Sequence, residues 1–154
     1  MSMKALLPIV LLMAACQSRM PQPASIEPGD MCQFCRMAVS RSGYASQFID
    51  RDGNAFKFDD IGCMVRFVRD HNRMRSVAAF FVMDYNDKSW LAAEEATYVK
   101  SEKTASPMGS GLTAFRDESR GQEFAAKLNG QVLHFGDLWT GDAAEPPRVP
   151  AKAR

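Results

Sequence analysis

The stretch that decides the fold is residues 44–70, which read YASQFIDRDGNAFKFDDIGCMVRFVRD. It begins with two segments that have the composition of strands, residues 44–50 and 55–58. The Asp52-Gly53 pair between them is typical of a tight hairpin turn. Asp59 and Asp60 then offer a helix N-cap. The apolar residues that follow recur at helical spacing: Ile61, Met64, Val65 and Val68. The stretch therefore predicts two strands followed by a helix.

The rest of the chain repeats this order. Residues 77–82 form a continuous apolar run, which is typical of a central strand covered on both faces. Residues 95–100 predict another strand, and a long loop and a helix follow. Asp117 can cap that helix and Asn129-Gly130 can end it, before a last strand at residues 132–135. We therefore predict an α+β fold in which two similar β-β-α-β units share one core, at residues 30–85 and 90–141.

Charged residues of the first predicted helix lie opposite its apolar stripe. Arg66, Arg69 and Arg73 occupy this side, and Asp70 is within reach of two of them. This pattern predicts a solvated face rather than a binding patch.

Composition restricts the possible functions. The chain has 154 residues and a formal net charge of +1, which argues against nucleic acid as a partner because phosphate binding needs a basic face. A hydrophobic content of 46% supports a real core. Four cysteines and ten methionines accompany only two histidines, so any metal site should be built mainly from sulfur.

The N-terminus has the features of an export signal. Lys4 precedes an apolar run at residues 5–15, which is too short to cross a bilayer. Residues 12–16, LMAAC, resemble a bacterial lipobox, in which the cysteine becomes the first mature residue and carries the lipid. We therefore predict a signal peptide at residues 1–15, lipidation at Cys16, and attachment to a membrane surface through acyl chains.

Two proline-containing segments flank the predicted domain, which spans residues 30–141. Residues 16–29 are predicted to form a lipidated tether between the membrane and the domain. Residues 142–154 are predicted to form a disordered tail.

The most informative motif is MCQFCRM at residues 31–37, with two thiols and two thioethers in seven positions. Thiolates and thioethers are soft donors, and together they favour Cu(I) over harder ions. A site built from one or two of the thiolates, Cys32 and Cys35, and a methionine thioether can bind Cu(I) and still leave an open edge for a partner.

Three other interpretations of the motif remain open. A Cys-x-x-Cys pair can be a thiol-disulfide redox centre, although here the next residues lack the periodicity of an activating helix. A structural zinc site needs four ligands, for which the candidates are Cys32, Cys35, Cys63 and His71. A plain disulfide between Cys32 and Cys35 is the third.

Other sulfur and imidazole groups are weaker candidates. Met108 lies in the glycine- and proline-containing loop at residues 106–111, from which it can complete a site begun at Cys32 and Cys35. Cys63 flanks the apolar stripe of the first helix and is interpreted as a buried inert thiol. His71 and His134 are interpreted as core-edge histidines. The sequence contains no catalytic triad, phosphate-binding loop or nicotinamide fingerprint, so we predict that the protein is not an enzyme.

Several ordered motifs together resemble the NosL family, the accessory lipoproteins of nitrous oxide reductase maturation. The similarity covers roughly residues 1–135 and is carried by LMAAC at 12–16, DMCQFCRM at 30–37, FDDIG at 58–62, YV at 98–99, PMG at 107–109 and AF at 114–115.

The resemblance implies a periplasmic Cu(I) chaperone held at the outer membrane, where Gln17 after the lipidated cysteine fits retention. It implies two partners: a membrane transporter complex that receives the copper, and nitrous oxide reductase itself. The implied copper ligands are Cys32 or Cys35, Met37 and Met108. Arg36 stands where most relatives have glycine, which tolerates a positive φ more readily. A periplasmic thiol-disulfide oxidoreductase that uses Cys32 and Cys35 is the alternative hypothesis.

Overall fold

The computed structural model describes residues 20–40, 43–141 and 143–144. The predicted signal peptide and Cys16 lie outside the described residues, as does the predicted tail apart from residues 143–144. In chain order the elements are β1 (Ser46–Asp50), β2 (Ala55–Phe58), α1 (Ile61–Asp70), β3 (Val77–Met83), β4 (Trp90–Ala92), β5 (Thr97–Lys100), β6 (Leu112–Phe115), α2 (Glu118–Leu128) and β7 (Gln131–Leu133), with short 3-10 turns at Met74–Ser76, Ala93–Glu95 and Phe135–Trp139.

The strands of the described residues form two antiparallel sheets. The first has the order β2-β1-β3-β4, and the second has the order β6-β5-β7. The hairpin predicted at Asp52-Gly53 joins β1 to β2, with Ser46 opposite Phe58. Each sheet has one helix, so the predicted α+β fold with two similar units is confirmed.

One hydrophobic core serves both units, as predicted. Its buried residues come from the first sheet, from α1 and from the second sheet, and include Phe48, Phe58, Val65, Tyr98, Leu112 and Leu138. A smaller cluster of Val99, Phe115 and Ala125 lies under α2. Backbone pairing also links the units, because the Tyr85 N–H donates to the Ala114 carbonyl at 2.8 Å.

Four details differ from the sequence prediction. Strand β6 forms within the segment predicted as a long loop, because its four residues are too few for a periodic signal. Strand β4 is only three residues long, too short for a periodic signal, and was not predicted. The last strand ends at Leu133, and Phe135 belongs instead to a 3-10 turn. His134 therefore lies outside the strand, where its backbone N–H donates to Asp137 at 2.8 Å.

The segments that flank the domain contact it. From the predicted tether, Ala24 exchanges two hydrogen bonds of 2.9 Å with the Gln47 side chain, and Ile26 is buried. Ala144 is buried at the other end, and the Lys100 ammonium donates to the Ala143 carbonyl. No helix among the described residues is both long enough and apolar enough to cross a membrane.

Candidate metal centre

The sulfur-rich motif folds into a small closed hairpin. The Cys32 N–H donates to the Met37 carbonyl at 2.8 Å, and the Arg36 N–H donates back to the Cys32 carbonyl at 3.0 Å. The hairpin docks on β2, because the Gln33 N–H donates to the Lys57 carbonyl at 3.0 Å. These bonds fix the loop that carries Cys32 and Cys35.

Arg36 adopts the left-handed conformation that the family resemblance would assign to glycine. Its φ is 65°, a value that costs a non-glycine residue about 1–2 kcal/mol. The hairpin hydrogen bonds hold Arg36 in this conformation, so the turn forms without the glycine.

The first turn of α1 supplies a third thiol. Asp60 caps this helix by accepting from the Gly62 N–H at 2.7 Å, and Cys63 is the third residue of the helix. The Sγ atoms of Cys32, Cys35 and Cys63 all lie within 4.8 Å of one another. The structure thus brings both predicted cysteines together with one that the sequence interpretation treated as inert, and three sulfur atoms so arranged can hold a metal ion.

Hydrogen bonds and burial lower the pKa of one of the three thiols and raise the pKa of the other two. The pKa of Cys32 falls to about 5, because the Cys63 thiol donates to its sulfur and backbone N–H groups of Cys35, Asp59 and Phe34 add to this effect. The pKa of Cys63 is raised, since its proton is held by Cys32 and the side chain is buried. Burial also raises the pKa of Cys35. Of the three thiols, Cys32 is therefore the one whose surroundings favour the thiolate form.

Of the three cysteines, Cys35 is the one that solvent reaches. Cys32 and Cys63 are fully buried, whereas Cys35 is partly exposed. Two methionines of the same hairpin are exposed, Met31 by 47% and Met37 by 57%. Metal or a partner protein can thus approach through the Cys35 side of the hairpin.

The loop that carries Met108 is tied to the same helix end. The Met108 N–H donates to Asp60 Oδ2 at 3.1 Å, so one buried carboxylate joins the cap of α1 to the loop. Gly62 permits this approach, because a Cβ atom there would lie 2.5 Å from Ser110 Cβ and 2.8 Å from the Ala144 carbonyl oxygen. Met108 itself is half-buried against the main core.

The four-ligand zinc site is not assembled. His71 ends α1, eight residues after Cys63, which a helical rise of 1.5 Å per residue places about 12 Å away. Its ring stacks on Phe67 with 4.3 Å between centroids. His71 and His134 are both exposed rather than at the core edge, and neither belongs to the thiol cluster.

Two residues of this site have a different role from the one that the sequence predicts. Cys63 is interpreted from the sequence as an inert thiol or as a ligand of the zinc alternative. Its place in the first turn after a predicted N-cap, where helix N–H groups and the dipole favour a thiolate, was the signal that could have identified it. The second residue is Arg66, which is predicted on a solvated face. It is half-buried beside the cluster, with its guanidinium 4.7 Å from the centroid of the Phe34 ring. Arg69 and Asp70 are exposed, as predicted.

Comparison with known proteins identifies a family from the sequence and a similar fold among solved structures. The model of the NosL family matches residues 23–142. The crystal structure of the copper chaperone NosL from Shewanella denitrificans superposes with a TM-score of 0.70 at 18% sequence identity, over 76% of this chain and 95% of that chain. At this identity the likeness concerns the fold. No curated protein gives a significant sequence match.

Proposed function

Because the chain belongs to the NosL family, we propose that it is a periplasmic metallochaperone that binds Cu(I) and delivers it for maturation of nitrous oxide reductase. The observation that carries the proposal is the trio of Sγ atoms within 4.8 Å of one another at Cys32, Cys35 and Cys63. In this proposal copper is the cargo and the three thiols are its holder.

The donor set favours Cu(I) over zinc. Cu(I) is soft and is satisfied by two or three sulfur ligands, whereas a structural Zn²⁺ site uses four. Among the described residues, no His, Asp or Glu joins the three cysteines in a possible metal-holding group. We infer that thioether sulfur from Met37 and Met108 completes the ligand set during loading or transfer.

The arrangement suits uptake and release by ligand exchange. Cys32 offers a ready thiolate, and copper that binds there takes the place of the proton that Cys63 shares with it. Cys35 is the partly exposed ligand, so it is the one that an incoming donor can displace first. In this scheme Cys63 holds the ion from inside while Cys35 is exchanged.

We propose the partners and the location on the family assignment. The receiving partner is a membrane transporter complex of the nitrous oxide reductase system, and the final acceptor is the reductase. Lipidation at Cys16 would hold the chaperone at the periplasmic face of the outer membrane. The lipobox at residues 12–16 and Gln17 support this anchor.

The alternative, a thiol-disulfide oxidoreductase, fits the thiols less well. Such an enzyme needs its nucleophilic thiolate exposed to substrate. Here the acidic thiol is Cys32, which is fully buried, while burial raises the pKa of the accessible Cys35. The thiol with the low pKa and the thiol that solvent reaches are thus different residues, which suits a metal-binding protein better than a thiol-disulfide oxidoreductase.

A Cu(I) competition titration tests the proposal. Reduced protein is titrated against a chromogenic Cu(I) chelator, with free thiols counted in parallel and Zn²⁺ as the control metal. Tight one-to-one Cu(I) binding with little zinc affinity is the expected result. Absence of competitive binding, together with ready cycling of Cys32 and Cys35 to a disulfide, would instead support the oxidoreductase.

A further inference from the structure

Arg66 lies beside the thiol cluster, and contacts on two sides fix its position. Its Nη2 lies 3.9 Å from the Sγ of Cys63, and its Nε donates to the Gly62 carbonyl at 3.3 Å. Its guanidinium carbon also lies 4.7 Å from the centroid of the Phe34 ring. Phe34 is one of the two residues between Cys32 and Cys35, so Arg66 spans from α1 to the loop of the sulfur hairpin.

A positive charge beside the thiols would stabilise bound copper, because a copper–thiolate cluster is negatively charged. Cu(I) bound by two thiolates carries a net charge of −1, and by three thiolates a net charge of −2. Cys32 and Cys63 are fully buried, and an uncompensated negative charge in such a place is costly. A guanidinium fixed beside one of the sulfur atoms lowers that cost and donates to the sulfur as well.

We propose that Arg66 is a positioning residue for copper, which supplies the counter-charge of the copper–thiolate cluster and is held in place by the face of Phe34. This inference rests on the proposed copper-binding function. It assigns to Arg66 a role in affinity that the next two arginines along the chain do not have the place to fill. Arg69 is exposed beside Asp70, and Arg73, beyond the end of α1, lies 3.7 Å from the Asp50 carboxylate.

A purely structural role makes a different prediction. If Arg66 only packed its stem against Phe34, glutamine, which keeps part of the stem and has no sulfur that could ligate copper, would replace it without loss of affinity. If its charge matters, glutamine should weaken Cu(I) binding and lysine should restore part of it. The flat guanidinium on Phe34 explains why lysine, which has no planar group to stack, should restore only part.

The experiment compares Arg66→Gln, Arg66→Lys and the control Arg69→Gln in the full chain. Cu(I) affinity is measured by chelator competition, and the sulfur-to-copper absorption band reports whether the thiols still ligate. We expect Arg66→Gln to weaken binding about tenfold, Arg66→Lys to lie between it and the parent, and Arg69→Gln to match the parent. Partial recovery with lysine separates a charge effect from a packing effect, because lysine restores the positive charge without the planar group.

The outcomes separate the two claims. Parental affinity in Arg66→Gln, or an Arg66→Lys variant that binds no better than Arg66→Gln, would overturn the role of Arg66 and leave the copper function intact. Failure of the parent chain itself to bind Cu(I) would overturn both. If Arg66→Gln no longer unfolds cooperatively, Arg66→Leu takes its place in the same comparison, since it also removes the charge.

Discussion

The two units of this protein share a layout and differ in what their helices begin with. Both α1 and α2 pack on antiparallel strands, and both start at an aspartate whose side chain accepts helix N–H groups, Asp60 and Asp117. The third helical residue is Cys63 in α1 and Arg120 in α2. One helix end therefore faces a thiol cluster, while the other faces solvent.

Burial of the cap makes this difference. Asp60 is fully buried beneath the Met108 loop, and its two carboxylate oxygens accept from different segments. Asp117 is exposed and bonds only within its own first turn, to Ser119 and Arg120. In the first unit the capping aspartate thus connects α1 to the Met108 loop, whereas in the second unit it only caps its own helix.

The largest expected effect is on stability, from Asp60→Ala. This change removes a helix cap and leaves the Met108 N–H without its buried charged acceptor, so the free energy of unfolding should fall by about 3 kcal/mol. Urea unfolding of the copper-free protein measures it. Asp117→Ala is the matched control and should cost clearly less, because its N–H partners are exposed to water. Equal losses of unfolding free energy in both variants would contradict the role of Asp60 in connecting α1 to the Met108 loop.

The next effect is on copper affinity, from Cys63→Ser. Removal of one of three sulfur ligands should weaken Cu(I) binding about 100-fold, or about 2.7 kcal/mol. The hydroxyl keeps most of the side-chain volume, so the fold should be retained. Chelator competition measures the affinity, and Arg120→Ala, at the equivalent position of α2, should leave it unchanged. If the Cu(I) affinity of Cys63→Ser lay within threefold of the parent value, Cys63 would not be a copper ligand, and its interpretation from the sequence as an inert thiol would stand.

A smaller effect is expected from the thioethers. Met37→Leu and Met108→Leu keep the apolar volume and remove the sulfur, and each should weaken Cu(I) binding by several-fold, to about tenfold. Met31→Leu is the control, because Met31 is also an exposed methionine of the same hairpin. Parental affinity in both test variants would remove Met37 and Met108 from the ligand set.

The smallest effect concerns pH and has opposite signs at two aspartates. Burial raises the pKa of Asp59 above its ordinary 3.8, so its charge lowers stability at neutral pH, and this penalty disappears as the pH falls through the folded pKa toward 3.8. Asp59→Asn should therefore stabilise the copper-free protein at pH 7 and have no effect at low pH.

Asp117 provides the opposite case in the second unit. Its hydrogen bonds with Ser119 lower its pKa, so its charge stabilises the protein above pH 3.8 and this contribution is lost as the pH falls through the folded pKa. Asp117→Asn should destabilise at pH 7 and converge with the parent in acid. Thermal unfolding across pH measures both variants, and shifts of the same sign at pH 7 would refute the assignment.

Local signals accounted for most of the fold. The Asp52-Gly53 turn, both aspartate caps and the helix end at Asn129 each depend on a few neighbouring residues, and the structure confirms all of them. Strand β4 was missed because three residues carry no period, and its pairing with β3 is decided by the tertiary fold.

The site was predicted only in part, for a related reason. Cys32 and Cys35 lie in one short motif, so their proximity is a local property. Cys63 and Arg66 reach the cluster through the packing of α1 against the hairpin. A single sequence has no periodic or turn signal for that contact, and an arginine on the polar side of a helix looks solvated until a partner ring such as Phe34 is placed over it.

Because Cys63 lies far from Cys32 and Cys35 along the chain, metal binding at the three thiols should increase the stability of the folded protein. The cluster exists only when the hairpin of residues 31–37 is docked near α1, so an ion bound there acts as a cross-link between two distant segments. A ligand that binds only the native state stabilises it by about 4 kcal/mol when its free concentration is 1,000 times Kd. Loaded and empty protein should accordingly differ in melting temperature, and an acceptor that removes copper also removes this cross-link.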